Sequence, residues 1–362
     1  MSSYTRTLVR RAFVGGAIIS GTGALLATGM AAGLGFAYWA LRQASRLELK
    51  GRCVLITGGS RGLGLALARQ FLRRGAKVAL LARDQEALQR AQQLLAGKGS
   101  VFIRACDVRD RTQVEQAVAD VCRELGEIDV LVNNAGTITV GPMDTMNVDD
   151  YQEALNIYFW ASLYTSLVVL PSMRQRRTGR IVNISSIGGK ISVPHLLPYS
   201  VGKFALAGWS EGLRTEVAKE NVYVTTVFPG LMRTGSPRNA NFKGNPQSEY
   251  TWFLLSDSLP FFSVNADRAA RQIVGACERG QAELIISLPA TIAIKAHALF
   301  PSVVSLAMRA ATRLLPGSEG ADGIAKKGAQ STTAVTESWL TDLDKKAAQK
   351  NNQVPNSIPV NL

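Results

Sequence analysis

A chain of 362 residues with a formal charge of +14 is long enough for one large α/β domain with extensions, and its evenly spread apolar residues offer no second core of comparable size. The basic balance comes without zinc spacing or an aromatic-studded basic motif, so nucleic acid is not an expected partner; anionic lipid head groups or a phosphate-rich ligand explain the charge as well. Two histidines, His195 and His297, and four scattered cysteines, Cys53, Cys106, Cys122 and Cys277, argue against a metal cluster, a Ser/His/Asp triad and a disulfide framework.

Residues 1–11 form a basic segment through Arg6, Arg10 and Arg11. Residues 12–41 then run without a charge, and a bilayer core of about 30 Å needs roughly 20 helical residues, so this stretch is predicted to be a transmembrane helix. Tyr38 and Trp39 suit an interfacial belt, and Gly29 with Gly33 makes a GxxxG pair. A cleaved signal peptide has a shorter apolar region, and a buried soluble helix is seldom apolar all round. Both flanks are basic, which gives the orientation rule little contrast.

From residue 48 to residue 290, short β-branched runs alternate with longer helical stretches, the pattern of a doubly wound parallel sheet with helices on both faces. Strands are predicted at 53–58, 77–82, 101–107, 128–136, 180–186, 222–230 and 282–287. Helices are predicted at 63–74, 110–125, 150–173 and 198–219. Residues 291–316 read as broken amphipathic helices, either lying on a membrane surface or packed back on the domain. From residue 317 to 362 the composition shifts to Gly, Ala, Ser, Thr, Lys and Gln, and most of this tail is expected to be disordered.

The segment VLITGGSRGLGLALA places Thr57, Gly58, Gly62 and Gly64 between a strand and a helix start. Glycines there permit a tight turn and close approach of a pyrophosphate to unpaired helix amides. The spacing is GxxxGxG rather than GxGxxG. The following strand ends in ALLARD, where an acid for the ribose 2′-hydroxyl of NAD would stand. It presents Arg83 instead, and Arg61 lies in the turn itself, so two guanidinium groups favour NADP over NAD. Asp84 is better read as the cap of the next helix.

At this point the chain resembles the short-chain dehydrogenase/reductase family, through TGGSRGLG at Thr57 to Gly64, Asp107, NNAG at Asn133 to Gly136, Asn156, Ser186, YSVGK at Tyr199 to Lys203, and PGLMRT at Pro229 to Thr234. The motifs fall in the family's order across roughly residues 50 to 290, leaving both ends of the chain outside the likeness. The resemblance implies a single Rossmann-type domain, with Asp107 on the adenine, NNAG along the cofactor floor, and Pro229 and Thr234 flanking the nicotinamide. The implied cofactor site takes in Thr57, Gly58, Ser60, Arg61, Gly62, Leu63, Gly64 and Arg83. It continues through Asp107, Val108, Asn133, Ala135, Gly136, Tyr199, Lys203, Pro229, Gly230 and Thr234.

Hydride transfer to a carbonyl builds negative charge on oxygen, so a proton donor and a polarising hydrogen bond are required. Tyr199 is the candidate acid, and Lys203, one helical turn on, is the cation expected to lower a phenol pKa of about 10 and to hold the ribose. Ser185 and Ser186 both end a strand, and neighbouring residues there face opposite ways. The family spacing selects Ser186, and Asn156 resembles the asparagine that holds a water in the relay to lysine. His195 is read as a loop histidine without a catalytic part.

Tyr250, Trp252, Phe253, Leu254, Leu255, Phe261 and Phe262 follow PGLMRT and suggest an apolar lid over a lipophilic substrate, such as a sterol, long acyl or isoprenoid compound. The competing reading is that they pack the lid onto its own domain. The expected activity is NADP(H)-dependent interconversion of a carbonyl and an alcohol. The alternative is a non-catalytic NADP-binding scaffold at a membrane. Expected partners are a small lipophilic substrate, a membrane, and further copies of the chain as homodimer or homotetramer; a single-pass protein with a cytoplasmic domain follows from NADP supply.

Overall fold

Apolar residues at successive positions of a strand point alternately to its two faces, so a run without polar interruption can feed two cores at once. The computed structural model describes residues 46–260, 262–317 and 323–354. Seven strands form one parallel sheet: β1 (Cys53–Thr57), β2 (Lys77–Ala82), β3 (Val101–Ala105), β4 (Ile128–Asn133), β5 (Gly179–Ile184), β6 (Val222–Pro229) and β7 (Glu283–Ile286). Their spatial order is β7-β6-β5-β4-β1-β2-β3. The order reverses at β1 and β4, and beyond the carboxyl ends of strands at such a reversal lies the crevice that binds ligands in doubly wound sheets.

Helices cover both faces. Val54, Ile56, Val78 and Leu80 turn toward α1 (Gly62–Leu72) and α2 (Gln85–Leu94), while Leu55, Ala79 and Leu81 turn toward α3 (Arg111–Leu125) and the helical run after it. Leu55, Ile56, Leu80 and Leu81 are fully buried, and each such side chain contributes about 2 kcal/mol through removal from water. All seven strands arise where the apolar runs predict them. Apart from β2, which fills its predicted run, they stop short of those runs, because the chain from Asn134, Ser185 and Gly230 onward has turned into the loops that carry the site.

The helix predicted at 150–173 is interrupted. It consists of α4 (Val148–Leu155), a π-turn over Asn156–Trp160 and α5 (Ala161–Gln175). Periodicity cannot show one inserted residue of this kind, and such turns gather at functional positions. Among the described residues, Val148–Gln175 is the one helical run long and apolar enough to cross a membrane; half of its most apolar window is buried in this domain, as befits a core helix. Residues 1–45, with the predicted span 12–41, lie outside the described residues.

After α6 (Leu197–Glu216), α7 (Pro246–Ser258) and α8 (Ala266–Glu278), the amphipathic stretch forms α9 (Leu288–Leu299) and α10 (Pro301–Thr312), broken at Phe300 before Pro301. Packing back on the domain holds for α9, where Ala290 and Ile294 are buried and Ile294 meets Ile191 and Phe228. By contrast, α10 buries no residue and leaves Val303 and Leu306 each 65% exposed.

The expectation of a disordered tail fails over residues 323–354. Lys326–Lys327 add a short strand to Asn241–Phe242, and α11 (Asp342–Lys350) precedes Asn351, Asn352 and Gln353, all buried. Its polar composition conceals this because hydrogen bonds rather than apolar burial hold the segment. Asn352 Nδ2 donates to the carbonyls of Ser60 at 2.8 Å and Ala87 at 3.0 Å, and Asn351 O accepts the Gly62 amide at 2.9 Å.

Candidate active site

The glycine turn joins β1 to α1. Gly62 has φ of +60°, which glycine adopts without strain, and a Cβ on Gly64 would stand 2.2 Å from the Gly58 carbonyl oxygen. Thr57 Oγ1 accepts the amides of Asn134 and Ala135, while Asn134 Nδ2 donates to the carbonyls of Thr57 and Gly58. The loops after β1 and β4 are therefore bonded to each other at the mouth of the crevice. This cradle, which side chains would fill, borders an open cleft of about 350 Å³. A glycine turn in that position fits a dinucleotide phosphate, which would take over the Gly62 amide from the Asn351 carbonyl.

Arg61 and Arg83 both line the cleft. Desolvation lowers the Arg61 pKa, Asp84 opposes that, and Arg83 and Arg90 lower it further. Asp84 caps α2 by accepting the Ala87 amide at 2.9 Å, in line with its reading as a cap. Asp107 and Val108 form another wall of the cleft. Arg109 grips the Asp107 carboxylate through Nε at 3.0 Å and NH2 at 2.5 Å and extends to Glu153 at 2.7 Å. The hydrogen bond from Arg109 holds Asp107 below the usual carboxylate range, so it stays an acceptor.

The central cluster comes from three elements. Ser186 follows β5, Tyr199 and Lys203 lie on one face of α6, and Tyr158 lies in the π-turn. The two serines separate as opposite strand faces require. Ser185 Oγ donates to the Lys203 carbonyl at 3.0 Å, whereas Ser186 Oγ accepts the Gly188 amide at 3.0 Å and lines the cleft beside Tyr199. Gly188 permits this approach, since a Cβ there would come 2.9 Å from Tyr199 Cε1. Tyr158 meets Tyr199 edge-on at 5.5 Å between ring centres and donates its hydroxyl to the Thr137 carbonyl.

Lys203 is buried, its Nζ donating to the Ile184 carbonyl at 2.7 Å and lying 4.0 Å over the Tyr158 ring. Burial brings its pKa down to about 7. Burial also pushes Tyr199 up to about 12, against the pull of the Ser186 hydrogen bond. The expected lowering of the phenol by Lys203 is thus not realised here. Burial sets the direction at Tyr199, and a lysine with a pKa near 7 is only part-charged at neutral pH.

These shifts have a stability consequence. Between about pH 7 and 10.5 the unfolded chain binds more protons at Lys203 than the folded chain, so the unfolding free energy rises with pH there. Above pH 10 the raised Tyr199 acts the other way. Urea unfolding of wild type and Lys203→Met at pH 7 and 9 is expected to show a pH-dependent rise, at most about 1.4 kcal/mol per pH unit, present in wild type and absent in the variant. Equal pH dependence in the two chains would contradict the shift.

Most of the predicted site residues meet in this one cleft: Gly58, Ser60, Gly62 and Leu63 of the turn, Ala135 and Gly136, Ser186, Tyr199 and Lys203, and Pro229, Gly230 and Thr234. Thr57, Gly64, Asn133 and Asn156 do not line it. Asn133 is buried in a polar network with Thr165, Ser166 and Asn183, so the cleft-facing member of NNAG's asparagine pair is Asn134. Asn156 accepts from Gln152 at 2.9 Å at the start of the π-turn. Sequence reasoning missed Asn134, Tyr158, Lys327 and Gln353, all of which line the cleft. Only Asn134 carried a usable signal, its place within NNAG.

The lid residues behave as the competing reading has it. Tyr250, Phe253 and Leu254 are buried among Val140, Leu196 and Phe242 rather than facing the cleft; Phe262 is exposed and Phe261 lies outside the described residues. Glu249 is fully buried, accepting from Trp252 Nε1 at 2.7 Å and bonded to His195 Nδ1 at 2.8 Å. His195 therefore joins the loop before α6 to α7 and does not line the cleft.

Residues 52–243 match the family model for short chain dehydrogenases. The chain is 38% identical over 204 residues to a "dehydrogenase/reductase SDR family protein 7-like" of Anopheles gambiae, covering 55% of this chain and 64% of that one. It is 35% identical over 189 residues to a 3-dehydrosphinganine reductase of Danio rerio, covering 51% and 57%. The matches thus span less than two thirds of these relatives. The crystal structure of L-sorbose reductase from Gluconobacter frateurii, complexed with NADPH and L-sorbose, superposes with a TM-score of 0.59 at 26% identity, over 67% of this chain and 97% of that one. With the parallel sheet, the glycine turn and a family match running over more than half its length, the chain belongs to the short chain dehydrogenase family.

Proposed function

We propose that the protein is an NADP(H)-dependent oxidoreductase that interconverts a carbonyl and an alcohol on a lipophilic substrate. The observation that carries this reading is that Tyr199, Ser186 and Lys203 line the same cleft as the glycine turn and Arg61. When bound there, the nicotinamide would supply or accept the hydride. Tyr199 would give the substrate oxygen its proton at Oη as charge develops on that oxygen, and take it back in the reverse direction. Ser186 Oγ would donate a hydrogen bond to the same oxygen. A phenol with a pKa near 12 stays protonated while it waits, and Lys203 can supply a proton through the ribose side of the cleft because its own pKa is near neutral.

Arg61 and Arg83 support NADP over NAD, as both line the cleft and guanidinium groups suit a 2′-phosphate. The NADPH of the sorbose reductase complex accords with that choice. Ile138, Ile157, Met232 and Ala240 give the cleft an apolar lining that supports a lipophilic substrate, as does the name of the Danio rerio relative. The apolar span 12–41 and the exposed apolar face of α10 support attachment to a membrane, with the domain on the cytoplasmic side.

The test is NADPH oxidation by the purified full-length chain in lipid vesicles, with long-chain and sterol-like ketones set against a polar ketose. Turnover restricted to the lipophilic ketones is expected. Turnover of the polar ketose alone would overturn the substrate class. Nucleotide binding without turnover of any ketone would favour the scaffold.

A further inference from the structure

We propose that Lys327, in the C-terminal segment outside the family-matched residues, is a third cation of the nucleotide site and joins Arg61 and Arg83 on the adenosine 2′-phosphate. The assignment rests on the NADP reading and extends it to a part of the chain to which the family likeness assigns nothing.

Lys327 lines the same cleft as Arg61 and Arg83. Its backbone is held in place: Lys326–Lys327 pair antiparallel with Asn241–Phe242, and a Cβ on Gly328 would come 2.2 Å from the Pro237 carbonyl oxygen. Its Nζ donates to Asn241 Oδ1 at 2.8 Å and to the Asn239 carbonyl at 3.3 Å. Arg61 donates to Asn239 Oδ1 at 3.4 Å, so one asparagine bridges the lysine and the arginine. The far end of the segment is secured by Asn352 on the Ser60 carbonyl at 2.8 Å.

The partners of Lys327 are neutral amide groups, which leave its charge uncompensated. Partial burial lowers the Lys327 pKa, and Arg61 and then Arg83 lower it further. Three cations that repel one another at the mouth of a cleft are the arrangement a multiply charged anion relieves. A purely structural lysine, by contrast, would tie the short strand to Asn241 and affect every nucleotide alike.

The test uses the full-length chain and calorimetric binding of two soluble fragments that differ only by the 2′-phosphate, 2′,5′-ADP and 5′-AMP, which needs no turnover. Lys327→Gln is expected to weaken 2′,5′-ADP about tenfold while 5′-AMP changes less than about twofold. Lys327→Arg should retain the discrimination, and Lys326→Gln, at the exposed neighbour, should match wild type. Thermal melts show whether each variant is folded, and Lys327→Arg carries the test if Lys327→Gln is not. Equal loss for both fragments, or no loss, in Lys327→Gln would overturn this assignment alone. Equal affinity of the wild-type chain for the two fragments would overturn the NADP reading and this assignment with it.

Discussion

Tyr199→Phe is expected to reduce turnover about a thousandfold, within the 10²–10⁴ range typical of a positioned acid or base, while dissociation constants for the nucleotide stay within about twofold. Tyr199 lines the open cleft together with Ser186, and its ring packs edge-on against Tyr158. Phenylalanine keeps the edge-on ring contact and removes only the hydroxyl. Tyr158 cannot substitute, because its hydroxyl is spent on the Thr137 carbonyl. Stopped-flow measurement of hydride transfer, with nucleotide binding followed separately by fluorescence, would check this. Turnover unchanged in Tyr199→Phe would sink the catalytic reading.

Replacing Arg61 and Arg83 together by alanine is expected to cut the preference for NADPH over NADH by about 10²–10⁴. Each charge-assisted contact with a phosphate contributes about 1.5–3 kcal/mol, and two are lost. The loss should fall chiefly on NADPH, since only its 2′-phosphate carries the charge the two guanidinium groups would meet, and Asp84 is engaged as the cap of α2. Dissociation constants for the two nucleotides, measured at fixed and low ionic strength, decide the matter. An unchanged ratio would show that the 2′-phosphate is recognised elsewhere or not at all.

Much of the site is legible in the sequence alone. The glycine spacing in TGGSRGLG, the arginine at the end of β2 and the i, i+4 pair Tyr199 and Lys203 are local features, and local periodicity is enough to set them on a turn, a strand end and a helix. What is not legible depends on which way a side chain faces. Asn133 and Asn134 are adjacent, yet one is buried in a network under the sheet and the other staples two loops at the cleft. The aromatic run after PGLMRT stands out in the sequence, but which of its members pack inward depends on Phe242 and Val140, on other short strands.

Apolar periodicity and short motifs act within a dozen residues, and for this chain they suffice for the seven strands, the parallel architecture and the chemistry on offer. Three features follow instead from packing between distant segments: Ser186 rather than Ser185 meets Tyr199, burial rather than Lys203 governs the phenol, and the C-terminal segment closes on the nucleotide cleft. The last of these brings Asn352 to Ser60, 292 residues away in the chain. Such a contact rests on side-chain amides meeting backbone groups. It leaves no hydrophobic pattern to read, so a segment rich in Lys, Gln, Ser and Thr looks like a loose tail until the fold places its partners beside it.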